Sequence, residues 1–310
     1  MEVVTGGAGF IGSHLVEKLV KENKEVLVLD NFSTGKIENL KNVKDRKNLR
    51  IERCDLATDK IDEKLKDAEV VYHLAANPEV RLLEPNVHFS NVVATFNLLE
   101  AMRKNDVNKI VFTSSSTVYG DSEIIPTPEE AILKPISLYG AAKLAAEALI
   151  SSYAHSYGFD AYVFRLANVV GKRSNHGVIF DFIRKLKANP KILEILGDGT
   201  QRKSYIHVSD CISAIMFVKE KKNKGFNVFN VGNTDSISVL EIADVVIDKL
   251  NLKNVEKKIL GGREGRGWVG DVKFMHLDIS KLLSLGWRPN LNSKQAVERA
   301  TIELIEDFKE

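Results

Sequence analysis

The sequence predicts an α/β fold: a doubly wound parallel sheet with a smaller, partly discontinuous C-terminal lobe. Three observations predict it. Short apolar strands alternate with helix-length amphipathic stretches through the first half of the chain, which implies a parallel sheet with helices on both faces. A glycine-rich turn joins the first strand to the first helix. After Asn168 the even alternation loosens, and Phe226 to Gly232 reads as a strand returning to the main sheet. The expected division is residues 1–171 for the sheet domain, with a return segment at about 205–233, and 172–310 for most of the lobe.

Bulk composition narrows the function classes. At 310 residues the chain can bury a large core, and its 44% apolar and 28% charged residues are those of a globular protein. Lysine and arginine number 44 against 42 acids, a balance that gives no support for a nucleic-acid partner. Two cysteines, Cys54 and Cys211, make no disulfide framework, which suits a reducing cytoplasm. The chain opens directly into a strand with no room for a signal peptide, and no apolar run reaches the roughly 18 residues of a membrane helix. The seven histidines show no metal-ligand spacing with cysteine or carboxylate, so no metal is expected.

The elements follow in order. Strand Glu2 to Thr5 runs into Gly6-Gly7-Ala8-Gly9-Phe10-Ile11-Gly12, then a helix with Ile11, Leu15 and Leu19 on one face. Glycines at 6, 9 and 12 let the backbone turn tightly and approach a pyrophosphate seated on the helix N-terminus. A second strand, Glu25 to Leu29, ends at Asp30, about twenty residues on, where an acid binds the adenosine ribose hydroxyls. Its charge would repel a 2′-phosphate, so NAD is expected rather than NADP. Leu49 to Arg53 and Glu69 to His73 are the third and fourth strands. Asp55 and Ala75-Ala76 lie just past their carboxyl ends, placed for adenine and ribose contacts or, as the structural alternative, for loop capping and close packing. A helix from about Asn86 to Lys104 and a fifth strand, Lys109 to Thr113, complete the run.

The fifth strand leads into Ser114-Ser115-Ser116-Thr117-Val118-Tyr119-Gly120. Serine hydroxyls at a strand's carboxyl edge can pass a proton or bind a developing alkoxide; the alternative is a serine-rich turn. The next helix carries Tyr139 and Lys143, four apart and so on one face. A nearby cation lowers a phenol's pKa from its usual value of about 10, which makes tyrosine a plausible base for an alcohol proton. Taken alone, the pair could be a chance feature of a helix surface.

The glycine turn, Asp30-Asn31, His73 to Ala76, Ser114 to Gly120, Tyr139 to Lys143 and Arg165-Leu166-Ala167-Asn168 together resemble the extended short-chain dehydrogenase/reductase family, and within it the UDP-glucose 4-epimerases. The match runs from Gly6 to Pro289. The resemblance implies a Rossmann domain, a tightly held NAD, a homodimer, and a catalytic set of Ser115, Tyr139 and Lys143, with Ser116 as the alternative serine. It places the dinucleotide against Gly6, Gly9, Phe10, Ile11 and Gly12 at the turn, and against Asp30, Asn31, Ser33 and Gly35 after the second strand. It adds Asp55 and Leu56, then Leu74, Ala75 and Ala76, and further on Asn91, Ser114 and Leu166, with Tyr139 and Lys143. Asn91 could equally be a solvated helix residue.

The implied reaction is inversion at C4 of UDP-glucose or UDP-galactose through a 4-keto sugar. Related dehydratases and decarboxylases resemble each other in carrying a glutamate two before the Tyr-Gly; here Thr117 stands there, and threonine cannot serve as a carboxylate base. The alternatives are another sugar-nucleotide epimerase or dehydratase, an N-acetylhexosamine epimerase among them, and a non-catalytic NAD-binding regulator.

For the C-terminal lobe the resemblance implies a UDP-sugar site. Ser115, Thr117 and Tyr139 would meet the sugar, and Asn168 and Lys203 the diphosphate. His176 and Val178 would line the cleft, Ile195 would flank the uracil and Asp271 would take the ribose. Arg266, with Arg202 as alternative, would share the phosphate, because Lys203 lacks arginine's bidentate fork. His207 lies on an apolar strand and reads as a packed histidine.

Overall fold

Strand β1 (Glu2–Thr5) and strand β2 (Val26–Asp30) are buried at every position. Strands covered on both faces read as continuous apolar runs, because helices lie over each side of a parallel sheet. The computed structural model describes residues 1–221 and 223–309. In it β3 (Leu49–Arg53), β4 (Val70–His73), β5 (Lys109–Ser115) and β6 (Asp160–Leu166) extend the sheet. Four short strands follow in the chain: β7 (Asn168–Val170), β8 (Ile192–Ile195), β9 (Arg202–Lys203) and β10 (Tyr205–His207). Then β11 (Phe226–Val231) returns to the edge of the main sheet, as its sequence predicts.

The seven-stranded parallel sheet has the order β11-β6-β5-β4-β1-β2-β3. The order reverses between β1 and β4, where Thr5 pairs with His73 on one side and Leu29 on the other. In such a sheet the crevice beyond the carboxyl ends at this switch point is where ligands bind. Helices α1 (Phe10–Lys21), α2 (Pro85–Lys104) and α3 (Leu138–Tyr157) accompany it, and α2 and α3 pack on each other. Proline at the first position of α2 has the fixed φ a helix start needs and no N–H to leave unpaired. Val3, Leu27, Leu98, Phe112, Ile150 and Val163 meet in the core of this unit.

The chain forms two units, the first comprising Met1–Val118, Leu138–Arg165 and Ile215–Phe229. The second comprises Tyr119–Ser137, Leu166–Ala214 and Asn230–Glu310. This differs from the expected division at 171. The segment after Val118 belongs to the second unit because it is stitched there: Tyr119 Oη donates to Asn230 at 2.8 Å, and Thr127 N–H to the His276 carbonyl at 2.8 Å. The returning piece is shorter than expected for the same reason, since β10 pairs with β7 rather than with the main sheet.

The second unit adds β12 (Ile237–Ser238), β13 (Glu256–Ile259) and β14 (Phe274–Met275), with β9 between β12 and β14 and β8 beside β13. Its helices are α4 (Val178–Ala188), α5 (Val208–Glu220, which continues into the first unit), α6 (Val239–Lys249), α7 (Ser280–Ser284) and α8 (Ser293–Asp307). Capping boxes start α6 (Ser238 with Glu241) and α8 (Asn292 with Gln295), each satisfying two otherwise unpaired backbone donors. Phe182, Ile183, Leu193, Ile242, Val246 and Val297 form this core. No helix of the described residues is long and apolar enough to cross a membrane.

Candidate functional site

The glycine turn is built by close approach. Gly6 has φ of +69°, and a Cβ on it would stand 2.7 Å from the Ala75 backbone. A Cβ on Gly12 would stand 2.1 Å from the Gly6 carbonyl oxygen, so only glycine lets α1 start this near the turn. Gly9 caps α1 with no side-chain hydrogen bond, and the first turn holds no acid. The leading N–H groups and the positive end of the helix dipole are therefore left for an anion.

Asp30, 6% exposed, is fixed by its own surroundings. Its Oδ2 accepts from Ala8 N–H at 2.9 Å and its Oδ1 from Phe32 N–H at 2.8 Å. A carboxylate has about four acceptor sites, so capacity remains for hydroxyls. A Cβ on Gly35 would press both Asp30 oxygens at 3.0 Å, which explains the glycine. Asn31 donates to Asp55 at 3.0 Å and accepts from Ser33 N–H at 3.0 Å, tying the loops after β2 and β3. Leu56 is held through its carbonyl by Asn97 at 2.9 Å. Asn91 is not a solvated residue: its Oδ1 takes Asn77 N–H at 2.9 Å, clamping the chain after Leu74, Ala75 and Ala76. Phe10 and Ile11 at the start of α1 are half-buried; Leu166, at the end of β6, is buried. The uncapped helix end, the glycine contacts and the acid after β2 fit a dinucleotide.

At the end of β5 the three serines part company. Ser114 is buried and its hydroxyl donates to Glu147. Ser115 is half-buried, and its Oγ accepts from Thr117 twice, from the N–H at 3.2 Å and from the hydroxyl at 2.9 Å. With both donations received, the Ser115 proton is free to point at another oxygen. Ser116 is 9% exposed in the turn that follows. On α3, Lys143 is 5% exposed and donates to the Thr113 carbonyl at 2.7 Å; its Nζ lies 4.7 Å from the Phe112 ring centre and 5.9 Å from that of Tyr139.

The electrostatics correct one expectation. Against the lowering expected from Lys143, burial pushes the Tyr139 phenol up to about 12. Burial also pushes the Lys143 ammonium down to about 8, opposed by the charge of Glu147. Both groups lose their water in the same pocket of protein, and desolvation disfavours each charged form. Two histidines also stand nearby, His73 within the His73-to-Ala76 motif and His88 with no motif of its own. His73 bridges Thr5 at 2.8 Å and Thr95 at 3.0 Å, and burial, then the Lys143 charge, pushes it down to about 3, so it stays neutral. His88, 2% exposed, bonds the Leu82 carbonyl at 3.0 Å and meets the Tyr139 ring edge-on at 6.2 Å.

The second unit gathers its own polar set. Asp271 is 1% exposed; its Oδ1 takes Lys203 Nζ at 2.7 Å and its Oδ2 takes Gly267 N–H at 2.9 Å. Lys203 also lies 5.2 Å from the Trp268 ring centre, a cation–π distance. Arg266 grips Asp121 with two bonds, at 3.1 and 2.8 Å, and reaches the Asp271 carbonyl at 2.5 Å. Arg202 is engaged elsewhere, with Glu241 at 2.8 Å and the Ser236 carbonyl at 2.9 Å, so Arg266 is the arginine gathered with Lys203 and Asp271. Asn168 Nδ2 is buried with no hydrogen-bond partner among the described residues, a donor that a ligand oxygen would satisfy.

His176 is exposed, Val178 half-buried at the first position of α4. The expectation for Ile195 needs correcting. It is 0% exposed in the apolar core and its carbonyl accepts from Leu260 N–H at 2.9 Å, so it packs the unit; an alternating strand puts every second residue inward, and Ile195 is one of these. His207 packs as expected, bonded to Glu303 at 3.0 Å and Ser209 at 2.8 Å.

Comparison with known proteins bears on this arrangement. The model of the NAD dependent epimerase/dehydratase family matches residues 3–232. The chain is similar to a crystal structure of UDP-galactose 4-epimerase, at 47% identity, 99% of each chain covered and a TM-score of 0.88. It is 32% identical to a UDP-N-acetylglucosamine 4-epimerase from Methanobrevibacter ruminantium M1 solved with UDP-N-acetylmuramic acid, covering 99% of this chain and 98% of that one, TM-score 0.88. It is 29% identical to a UDP-glucuronic acid 4-epimerase from Bacillus cereus solved with UDP-glucuronic acid and NAD, with 99% of each chain covered and a TM-score of 0.89.

Proposed function

The chain belongs to the NAD-dependent epimerase/dehydratase family, and from that premise we propose that it inverts C4 of a UDP-hexose, with UDP-glucose and UDP-galactose as the pair. Thr117 is the observation that carries epimerisation over elimination. Its hydroxyl and N–H both serve Ser115, where a dehydratase would have a carboxylate.

Gly6, Gly9 and Gly12 with the N-terminus of α1 would hold the pyrophosphate of a bound NAD, and Asp30 its adenosine ribose. When bound, NAD supplies a reversible hydride acceptor that is positively charged in its oxidised form. The phenol that burial holds up at about 12 needs such added charge to act as a base. Tyr139 removes the proton of the sugar 4-hydroxyl while Ser115 donates to the same oxygen. As C4 becomes a carbonyl, that Ser115 donor stays on the oxygen. Tyr139 then returns the proton to the oxygen of the inverted alcohol. Lys143, anchored on the Thr113 carbonyl, holds positive charge near the phenol. Asn168, Lys203 and Arg266 hold the diphosphate and Asp271 the ribose, so the sugar can turn while its nucleotide stays in place.

The enzyme works as a homodimer through the outer faces of α2 and α3, where Phe89, Phe96 and Tyr157 are 64%, 46% and 54% exposed; light scattering at a mass of one subunit would refute this. Both cysteines are buried and unpaired, which suits a cytoplasmic enzyme. The deciding assay gives the purified protein UDP-glucose, UDP-galactose, UDP-N-acetylglucosamine and UDP-glucuronate without added NAD, with products read by NMR. Interconversion of the first pair is expected. Turnover only of another sugar moves the substrate, and no turnover with NAD bound overturns the enzyme reading.

A further inference from the structure

Helix α3 carries a third polar residue in register with Tyr139 and Lys143. Glu147 lies one more turn along, on the same face. It is 3% exposed, and Arg165 on β6, 5% exposed at its side chain, forks onto it: Nε lies 3.1 and 3.2 Å from its two oxygens and one terminal nitrogen 2.8 Å from Oε2. A buried ion pair is a weak stabiliser, often no better than apolar residues of the same size, so its place beside the reacting groups asks for another reason.

The strand opposite gives one. Thr113, Ser114 and Ser115 are consecutive at the end of β5. Lys143 holds the Thr113 carbonyl, and Glu147 holds the Ser114 hydroxyl. The helix that bears the base thus grips the strand at the two residues before the serine. We propose that Glu147 is a positioning residue for the reaction: it sets Ser115 through Ser114, and it is the buried countercharge of Lys143, with Arg165 locking its carboxylate. The inference rests on the Tyr139 and Lys143 assignment above.

Among the described residues around Lys143, Glu147 is the negative one. On α3 the others are Tyr139, neutral with its raised pKa, and Lys143 itself; on β4 the neutral His73; on β5 the Phe112 ring and Thr113 carbonyl. On β6 Arg165 adds positive charge, and on α2 His88 lies beyond the Tyr139 ring. Burial pulls the Lys143 ammonium down and Glu147 opposes it. Without that carboxylate, Lys143 loses its proton at lower pH.

The test compares wild type, E147Q, E147D and S114A in two measurements: the pH profile of kcat and KM, and the NMR titration of the Lys143 ammonium, assigned by its loss in K143M. E147Q should lower the Lys143 midpoint by about one unit and carry the alkaline limb of kcat down with it. Its kcat at neutral pH should fall about 10-fold, with KM within about 3-fold. E147D, with its charge retained but drawn back, should fall between. S114A keeps the ion pair, so its Lys143 midpoint should match wild type while kcat falls about 3-fold at unchanged KM. Coincident midpoints and profiles in E147Q and wild type would overturn the countercharge; if E147Q does not fold, the same result in E147D does so. Wild-type kcat in S114A overturns the anchoring of Ser115. If wild type turns over no sugar nucleotide, the functional reading fails, and the Lys143 titration still decides the countercharge.

Discussion

The two units hold their polar residues in opposite ways. In the first, the candidate groups sit within a few residues of a turn, on a strand end or on one helix face: Gly6 to Gly12, Ser115 and Thr117, Tyr139 to Lys143 to Glu147. In the second, the set is assembled from far apart, as with Lys203 and Asp271 at 2.7 Å across 68 positions and Arg266 and Asp121 at 2.8 Å across 145. Local geometry is dictated by spacing, so a motif carries it. Distant pairing is dictated by the packing of the whole unit. The difference predicts that truncating one catalytic side chain in the first unit strikes one step, whereas changes in the second alter binding together with the fold around it.

Y139F is the sharpest way to test the local half. It removes one hydroxyl and should lower kcat about 10³-fold while NAD stays bound, read by turnover and by cofactor absorbance. Substantial retained activity would break the assignment. G12A comes next. With its Cβ 2.1 Å from the Gly6 carbonyl, it should cost about 2 kcal/mol of stability in denaturant unfolding and strip bound NAD; a stable, NAD-bound G12A would mean the turn can open.

For the distant half, K203M leaves Asp271 buried without its cation. It should raise KM for the sugar nucleotide about 10-fold with kcat little changed, and lower the melting temperature as well. A change in kcat alone would contradict the division. The smallest effect is acid sensitivity at Glu303. Burial raises its pKa, but the His207 and Arg299 bonds and the Lys172 N–H overcome that and hold it at about 2. A carboxyl held below its ordinary value of 4.5 stabilises the fold above that pH, and the contribution fades as pH falls from there toward 2. H207Q should therefore flatten stability against pH over that window by about 1 kcal/mol, measured by urea unfolding across it.

The same contrast explains what the sequence could show. The seven-stranded sheet was legible in β1 to β5 and β11, because each is a strand-length stretch with apolar positions set between helix-length stretches or turns. β6 went unread although Gly158 closes α3 just before it, because Asp160–Leu166 runs straight into Ala167-Asn168 with no turn residues to bound it as a strand. Glu147 needed only one more step of four along α3, yet a lone glutamate in a helix looks solvated until Arg165 is seen to meet it. The resemblance set Ile195 beside the uracil, whereas the alternation along β8 turns it into the core, which the letters alone do not show. The raised Tyr139 pKa was illegible because burial is a property of the fold, whereas the neighbouring lysine was visible in the letters. Asp121, tied to Arg266, and the unpaired Asn168 Nδ2 likewise belong to packing.

The chain passes between its units at 118/119, 137/138, 165/166, 214/215 and 229/230. A nascent chain leaving the ribosome therefore cannot finish the first unit and move on, because the edge strand β11 is made only after most of the second unit's early segments have emerged. Until then β6 presents an open sheet edge, the kind of surface that recruits other chains. For the same reason no single cut frees either unit: residues 1–229 hold the whole first unit but also two segments of the second, and exchange of the second unit between relatives must carry three segments at once.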